Sequence, residues 1–154
     1  MSERDHMPND LTERRRRWMG VLARADRAAL ERTWNALPEQ PAYRHLRKAE
    51  SGLVMLRGRA GGSGQAFNLG EMTVARCSVQ LRDGTVGHAY AAGRDLRKAE
   101  LAAVFDAMMQ TTAATQIQGT LIEPLAAEIA ARRAVIGRKA AATRVDFFGL
   151  VRAQ

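Results

Sequence analysis

Two arginines spaced by one residue, Arg57 and Arg59, stand just before the run Gly61-Gly62-Ser63-Gly64. Guanidinium groups offer paired, planar donors that match phosphate or phosphonate oxygens. A glycine-rich turn can aim backbone N–H groups at the same kind of anion. The pattern therefore predicts an anion-holding surface at Arg57, Arg59, Gly61, Gly62, Ser63 and Gly64. Other readings fit these residues: a flexible hairpin loop, an edge strand that uses arginine against aggregation, or contact with an acidic partner protein. The GxxxxGK[ST] phosphate-loop pattern is absent. Arg94, in Gly93-Arg94-Asp95, joins the candidates because it opens a predicted helix, where Asp95 is the expected cap.

Nothing around these residues forms a catalytic set. Ser63 and Ser78 have no adjacent base and no GxSxG elbow. Of the three histidines, His6 lies in the N-terminal tail and His45 near a weak strand. His88 is expected on an apolar face as a satisfied core histidine. No HxH, HExxH or CxxC spacing occurs, so no metal site is expected. Cys77 is the single cysteine. It excludes an intrachain disulfide and a cysteine-held iron–sulfur cluster within one chain. The stretch Glu50–Asp95 reads as built to hold and present rather than to cut or transfer.

The elements that must position these residues follow from periodicity. Residues 1–13 are polar and charged and read as a mobile tail, with a single domain over 14–154. Trp18, Val21, Leu22 and Ala25 share one helical face. Asp26 is a candidate cap for a second helix carrying Leu30, Thr33, Trp34 and Leu37. An extended stretch over Tyr43–Lys48 precedes a firmer strand over Leu53–Arg59. Strands Met72–Arg82 and Thr85–Ala92 flank Asp83-Gly84, a two-residue hairpin signal. That turn sets Leu81 opposite Val86, Val79 opposite His88, Cys77 opposite Tyr90 and Ala75 opposite Ala92 on an apolar side. The other side carries Arg76, Ser78, Gln80 and Arg82, against Gly87, Ala89 and Ala91, over which a backbone could approach closely.

Leu101, Val104, Phe105 and Met108 form the stripe of a third helix. Thr120 and Glu123 are spaced as a capping box for a fourth. The pentapeptide LRKAE occurs at Leu46–Glu50 and again at Leu96–Glu100, in different contexts, and reads as coincidence rather than repeat. The fold class is α+β: an antiparallel sheet of about four strands, packed with N-terminal and C-terminal helices.

The chain has 154 residues, a formal net charge of +8 and a hydrophobic fraction of 46%. It is one globular domain with length for a real core. Its basic balance suits nucleic acid, phosphorylated metabolites or acidic proteins without choosing among them. Basic residues cluster at Arg14–Arg17 and at Arg132, Arg133, Arg138, Lys139 and Arg144. Neither cluster has the aromatic interleaving of a single-strand binder. Arg144, Asp146, Phe147 and Phe148, in an alternating C-terminal segment, are candidates for docking a partner. No secretory signal and no run of about 20 apolar residues is present, so a cytoplasmic location is expected.

Several ordered blocks together resemble one family: WMGVLA at Trp18–Ala23, AESGLVMLRGRAGGSG at Ala49–Gly64, LRDGTVGHAYAAGRDLRKAELAAVFDAMMQ at Leu81–Gln110 and TRVDFFGLVR at Thr143–Arg152. The chain resembles PhnG, a small subunit of the bacterial carbon–phosphorus lyase core complex. The resemblance implies an accessory role in phosphonate catabolism. The complex makes alpha-D-ribose 1-methylphosphonate 5-triphosphate from ATP, taken with Mg, and methylphosphonate, releasing adenine. It implies PhnI as the direct partner, with PhnH, PhnJ, PhnL and PhnK in the assembly. The nucleosidase-like chemistry would sit mainly on PhnI and C–P cleavage on PhnJ. No cofactor is implied for this chain alone, and no catalytic residue carries over. A rival reading is a basic nucleic-acid-binding module of winged-helix type, with two helices followed by hairpins. Self-association of the isolated chain stays open.

Overall fold

The computed structural model describes residues 10–144. Helices α1 (Asp10–Arg24) and α2 (Arg27–Ala36) precede three antiparallel strands, β1 (Tyr43–Arg59), β2 (Ala66–Leu81) and β3 (Val86–Ala92). The sheet order is β1-β2-β3. Helix α3 (Leu96–Met108) follows, then α4 (Ala114–Ile117), a widened π segment (Gln118–Ile122) and α5 (Glu123–Ala142). The α+β architecture expected from sequence holds, with three strands in place of about four. Tyr43–Lys48 and Leu53–Arg59 are one long strand, with register shifts between His45 and Glu50 and again after Leu56. Asp10–Glu13, assigned to the tail from sequence, form the first turn of α1. No described helix is long and apolar enough to cross a membrane.

The core lies where α3 is enclosed between the sheet and α1–α2. Every residue from Leu101 to Met108 is buried, so α3 is apolar all round rather than striped. Trp18, Leu22, Leu30 and Trp34 close over it. The Trp34 ring meets both Phe105 and Tyr43 edge-on, at centroid distances of 6.4 and 6.2 Å.

The β2–β3 register differs from the sequence expectation by one residue. Cys77 pairs with Ala89, Val79 with Gly87, Ser78 with His88 and Arg76 with Tyr90. The loop has three residues, not two. Thr85 O accepts from Leu81 N at 2.9 Å, and Gly84 has φ of 90°, the geometry of a turn closed by a glycine bulge. Because strand side chains alternate, the one-residue shift moves all of β3 to the other face. Ala75, Cys77, Val79 and Leu81 thereby join Gly87, Ala89 and Ala91 on one buried face, and His88 turns outward.

Two expected caps also differ. Asp26 makes no side-chain cap bond to α2. It accepts instead from Arg132 at 2.9 Å, a bond that lowers its pKa and ties α5 to the α1–α2 junction. Thr120 caps nothing, and its Oγ1 donates to Gln116 O at 2.8 Å. The helix runs on through this point. Pro124 has no N–H to return to the preceding turn, and the π widening accommodates it. Asp95 does cap α3, accepting from Lys98 N at 2.9 Å.

Candidate functional site

Arg57 and Arg59 lie on the far half of β1, beyond the three-stranded sheet. Strand β3 pairs with β2 only from Val74 to Gln80, so Leu53–Arg59 and Ala66–Thr73 form a two-stranded arm. Both arginines are exposed and share a face by alternation. At the tip, Gly61 and Gly62 adopt φ of 59° and 81°. The turn closes on itself: the amides of Ser63 and Gly64 both donate to Ala60 O, and Arg59 Nη1 donates to Gly64 O at 3.4 Å. Arg94 sits elsewhere, exposed between β3 and α3. The Gly93 amide beside it bonds Thr73 O, opposite Leu53. Gly93 is therefore offset from Arg57 by four residues along the strands, roughly 13 Å, and by two strand spacings, roughly 9.5 Å, across them. Arg144 is exposed after α5, and Asp146, Phe147 and Phe148 lie outside the described residues.

Sequence reasoning missed three side-chain clusters. The first surrounds Asp106, fully buried on α3. Its carboxylate accepts from Arg15 Nε and Nη2 at 3.2 and 2.7 Å, from Trp18 Nε1 at 2.8 Å and from the His88 amide at 2.9 Å. Val86 O accepts from Arg15 Nη2 at 3.2 Å and from Gln110 Nε2 at 2.9 Å. Val86 O and His88 N belong to the edge of β3 that faces away from β2, so this cluster caps the start of that edge. A lone acid within the apolar run LAAVFDAMM was its only signal.

The second cluster centres on Glu100 of α3. It accepts from Tyr43 Oη at 2.8 Å and Arg97 Nη1 at 2.8 Å, and its Oε1 lies 2.9 Å from His45 Nε2. Burial pushes the Glu100 carboxyl up, but the bonds from Arg97, Tyr43 and His45 outweigh it and leave the pKa below its ordinary value. Burial, then the bond to Glu100, pushes the Tyr43 phenol up. A depressed carboxylate pKa stabilises the fold at pH above the ordinary value and loses that contribution as pH falls through the folded one. Replacing Glu100 by Gln should therefore cost on the order of 1 kcal/mol at neutral pH. The difference in melting temperature from the parent chain should shrink as pH drops below 4.5. Thermal melts across an acid series check this.

The third is Ser78, whose Oγ lies 2.8 Å from His88 Nδ1. Ser78 thus does have an adjacent base, which the slipped register concealed. The pair sits on the open outer face of the sheet, between Arg76–Tyr90 and Gln80–Val86. Nucleophilic catalysis needs the base oriented by a third group and donors placed for an oxyanion. Among the described residues the His88 ring makes no bond to a carboxylate, and the His88 amide is taken by Asp106. The pair works as a cross-strand hydrogen bond. Burial pushes the Cys77 thiol up to about 11, which suppresses the nucleophilic thiolate at neutral pH. No group of three or more His, Cys, Asp or Glu among the described residues could hold a metal ion.

The clusters that chemistry could have used are committed to the fold, while the arm and α5 extend from it. Comparison with known proteins gives this arrangement its context. The family described as phosphonate metabolism protein PhnG matches residues 13–153. A relative from Rhizobium meliloti (strain 1021), alpha-D-ribose 1-methylphosphonate 5-triphosphate synthase subunit PhnG, is 44% identical over 140 residues, covering 91% of this chain and 90% of the relative. With blocks in α1, the arm, the β2–β3 hairpin and α3 all inside the match, the chain belongs to the PhnG family.

Proposed function

We propose that this chain is an accessory subunit of the synthase that forms alpha-D-ribose 1-methylphosphonate 5-triphosphate in phosphonate catabolism. The likeness to a named synthase subunit over nine-tenths of both chains carries the reading. In that reaction a methylphosphonate oxygen bonds to C1′ of the ATP ribose and adenine leaves. The chain's contribution is to build and hold the assembly, not to supply the attacking or leaving-group chemistry. Two structural features support this: α5 is exposed over nearly all its length beyond Leu125, and the arm contributes nothing to the core.

Within this reading PhnI is the direct partner and PhnH, PhnJ, PhnL and PhnK complete the machinery in the cytoplasm. ATP enters as the Mg-bound substrate of the whole assembly. Arg57, Arg59 and Arg94 are candidates for partner contact or for the substrate phosphates. The basic winged-helix reading is not favoured, because α2 turns Leu30 and Trp34 onto the core and the family match assigns a different role. Incubating the purified chain with ATP and methylphosphonate should release no adenine, whereas the reconstituted complex should release it. Adenine from the chain alone, followed by chromatography, would overturn the accessory role.

A further inference from the structure

We infer that the arm formed by Leu53–Arg59 and Ala66–Thr73 is a docking element for a non-identical subunit of the same assembly, and that it enters an apolar cleft rimmed by carboxylates. The inference rests on the accessory-subunit reading and names the surface that reading requires.

The register gives the arm one continuous apolar face. Val54 pairs with Met72, Leu56 with Gly70 and Gly58 with Phe67, and directly paired residues share a side. The register shift after Leu56 leaves Leu69 as the extra residue. Its side chain lies over Gly58, where a Cβ would come within 2.7 Å of Leu69 Cδ1. Val54, Leu56, Phe67, Leu69 and Met72 therefore lie together. Leu69 is 63% and Phe67 46% exposed. None of the residues from Ser51 to Thr73 belongs to the core cluster. An isolated two-stranded hairpin is marginal in water, and an apolar face without a partner marks an interaction site.

Charge selects the occupant. Strand β1 carries Arg44, Arg47, Lys48, Arg57 and Arg59 against a single acid, Glu50. It pairs only with β2, so its other edge has no strand partner among the described residues. At the opposite edge of the sheet Val86 O and His88 N are taken by Arg15, Gln110 and Asp106, whereas no strand covers the basic edge. A second copy placed across a twofold axis would set this basic strand against itself in a chain of net charge +8, because a twofold interface uses the same patch on both sides. Arg57 and Arg59, paired with Asn68 and Ala66, alternate onto the other face of the arm, so an acidic rim on a different subunit answers them along one wall of the cleft while the apolar face seats against the other.

The test co-expresses the tagged full chain with the other subunits of the synthase and measures their recovery. The double variant Phe67→Asp/Leu69→Asp changes exposed residues only, so its far-UV circular dichroism and melting temperature should match the parent. Recovery of the partner subunits should fall roughly tenfold or more, as expected when anchor residues are lost. Arg57→Glu/Arg59→Glu should reduce recovery as well, with the Lys/Lys version retaining most of it. Parental recovery with the Asp variants overturns the arm proposal. So does an isolated-chain oligomer, seen by analytical ultracentrifugation, that these variants dissolve while the assembly persists, since that makes a second copy the occupant. If the parent chain itself recovers no synthase subunit, the accessory reading fails, a result separate from either.

Discussion

Replacing Gly87 by Ala should destabilise the chain by about 3 kcal/mol, at the upper end of what overpacking costs, and Val at this position should prevent folding. A Cβ on Gly87 would lie 1.9 Å from Ala103 O, 2.7 Å from Ala107 N and 2.9 Å from Ala107 Cβ. The nearest obstacles are backbone atoms of α3, so no rotamer change relieves the clash. The helix would have to lift from the sheet. Ala99, Ala103 and Ala107, one turn apart and fully buried, form the small-residue line on α3 that lets it settle onto Gly87, Ala89 and Ala91. Lifting it would loosen contacts along its whole length, because interiors are close-packed. Gly58→Ala is the control: its Cβ meets only the end of the exposed Leu69 side chain, which can swing away. Urea denaturation of the two variants should show a large loss of midpoint for the first and little change for the second.

The importance of Gly87, Ala89 and Ala91 was legible in the sequence, but the face they occupy was not. Asp83-Gly84 fits a two-residue turn and a three-residue turn with a glycine bulge equally well. Local chemistry could not choose between them. Comparing the two faces could have done so. The two-residue register buries His88 and separates the small residues from Cys77 and Val79, whereas the three-residue register gathers every small and apolar residue on one side. Agreement across levels is the better guide when a turn is ambiguous. The repeated LRKAE makes the same point: identical residues are strand in β1 and helix in α3, because tertiary context outweighs propensity.

The helices and their apolar faces were readable from spacing alone, since Trp18, Leu22, Leu30, Trp34 and Phe105 fall where a period near 3.6 puts them. The long-range clusters were not. Asp106 meets Arg15 across 91 residues of sequence, and Tyr43 meets Glu100 across 57. No periodicity encodes such pairs. The arm is legible as a strand followed by a glycine loop, and the one-residue spacing of Arg57 and Arg59 puts them on one side by alternation. Its separation from the core depends on where β3 ends, at Ala92 opposite Val74, beyond which β2 and β1 run on alone.

Removal of the Asp106 carboxylate should be the other severe change. Asp106→Ala should cost about 3–5 kcal/mol, the usual consequence of stripping one partner from a buried ion pair. It leaves the buried Trp18 indole N–H and the His88 amide with no acceptor, and Arg15, 30% exposed, partly stranded. Asp106→Asn should cost less, about 2 kcal/mol, because its one oxygen can serve some of these donors. Arg15→Met should also destabilise, by leaving the carboxylate uncompensated. The double variant Arg15→Met/Asp106→Ala should then cost less than the two single changes added together, by about 1–3 kcal/mol. Urea unfolding of all four chains measures that difference. Strict additivity would mean that Asp106 holds β3 through Trp18 and the His88 amide alone, with Arg15 a bystander. Coupling of the expected size would establish that one carboxylate joins α1, α3 and the edge of β3. In that case the N-terminal helix is seated by the group that caps the start of the free edge of β3, and the basic edge and its arm are left to face a partner.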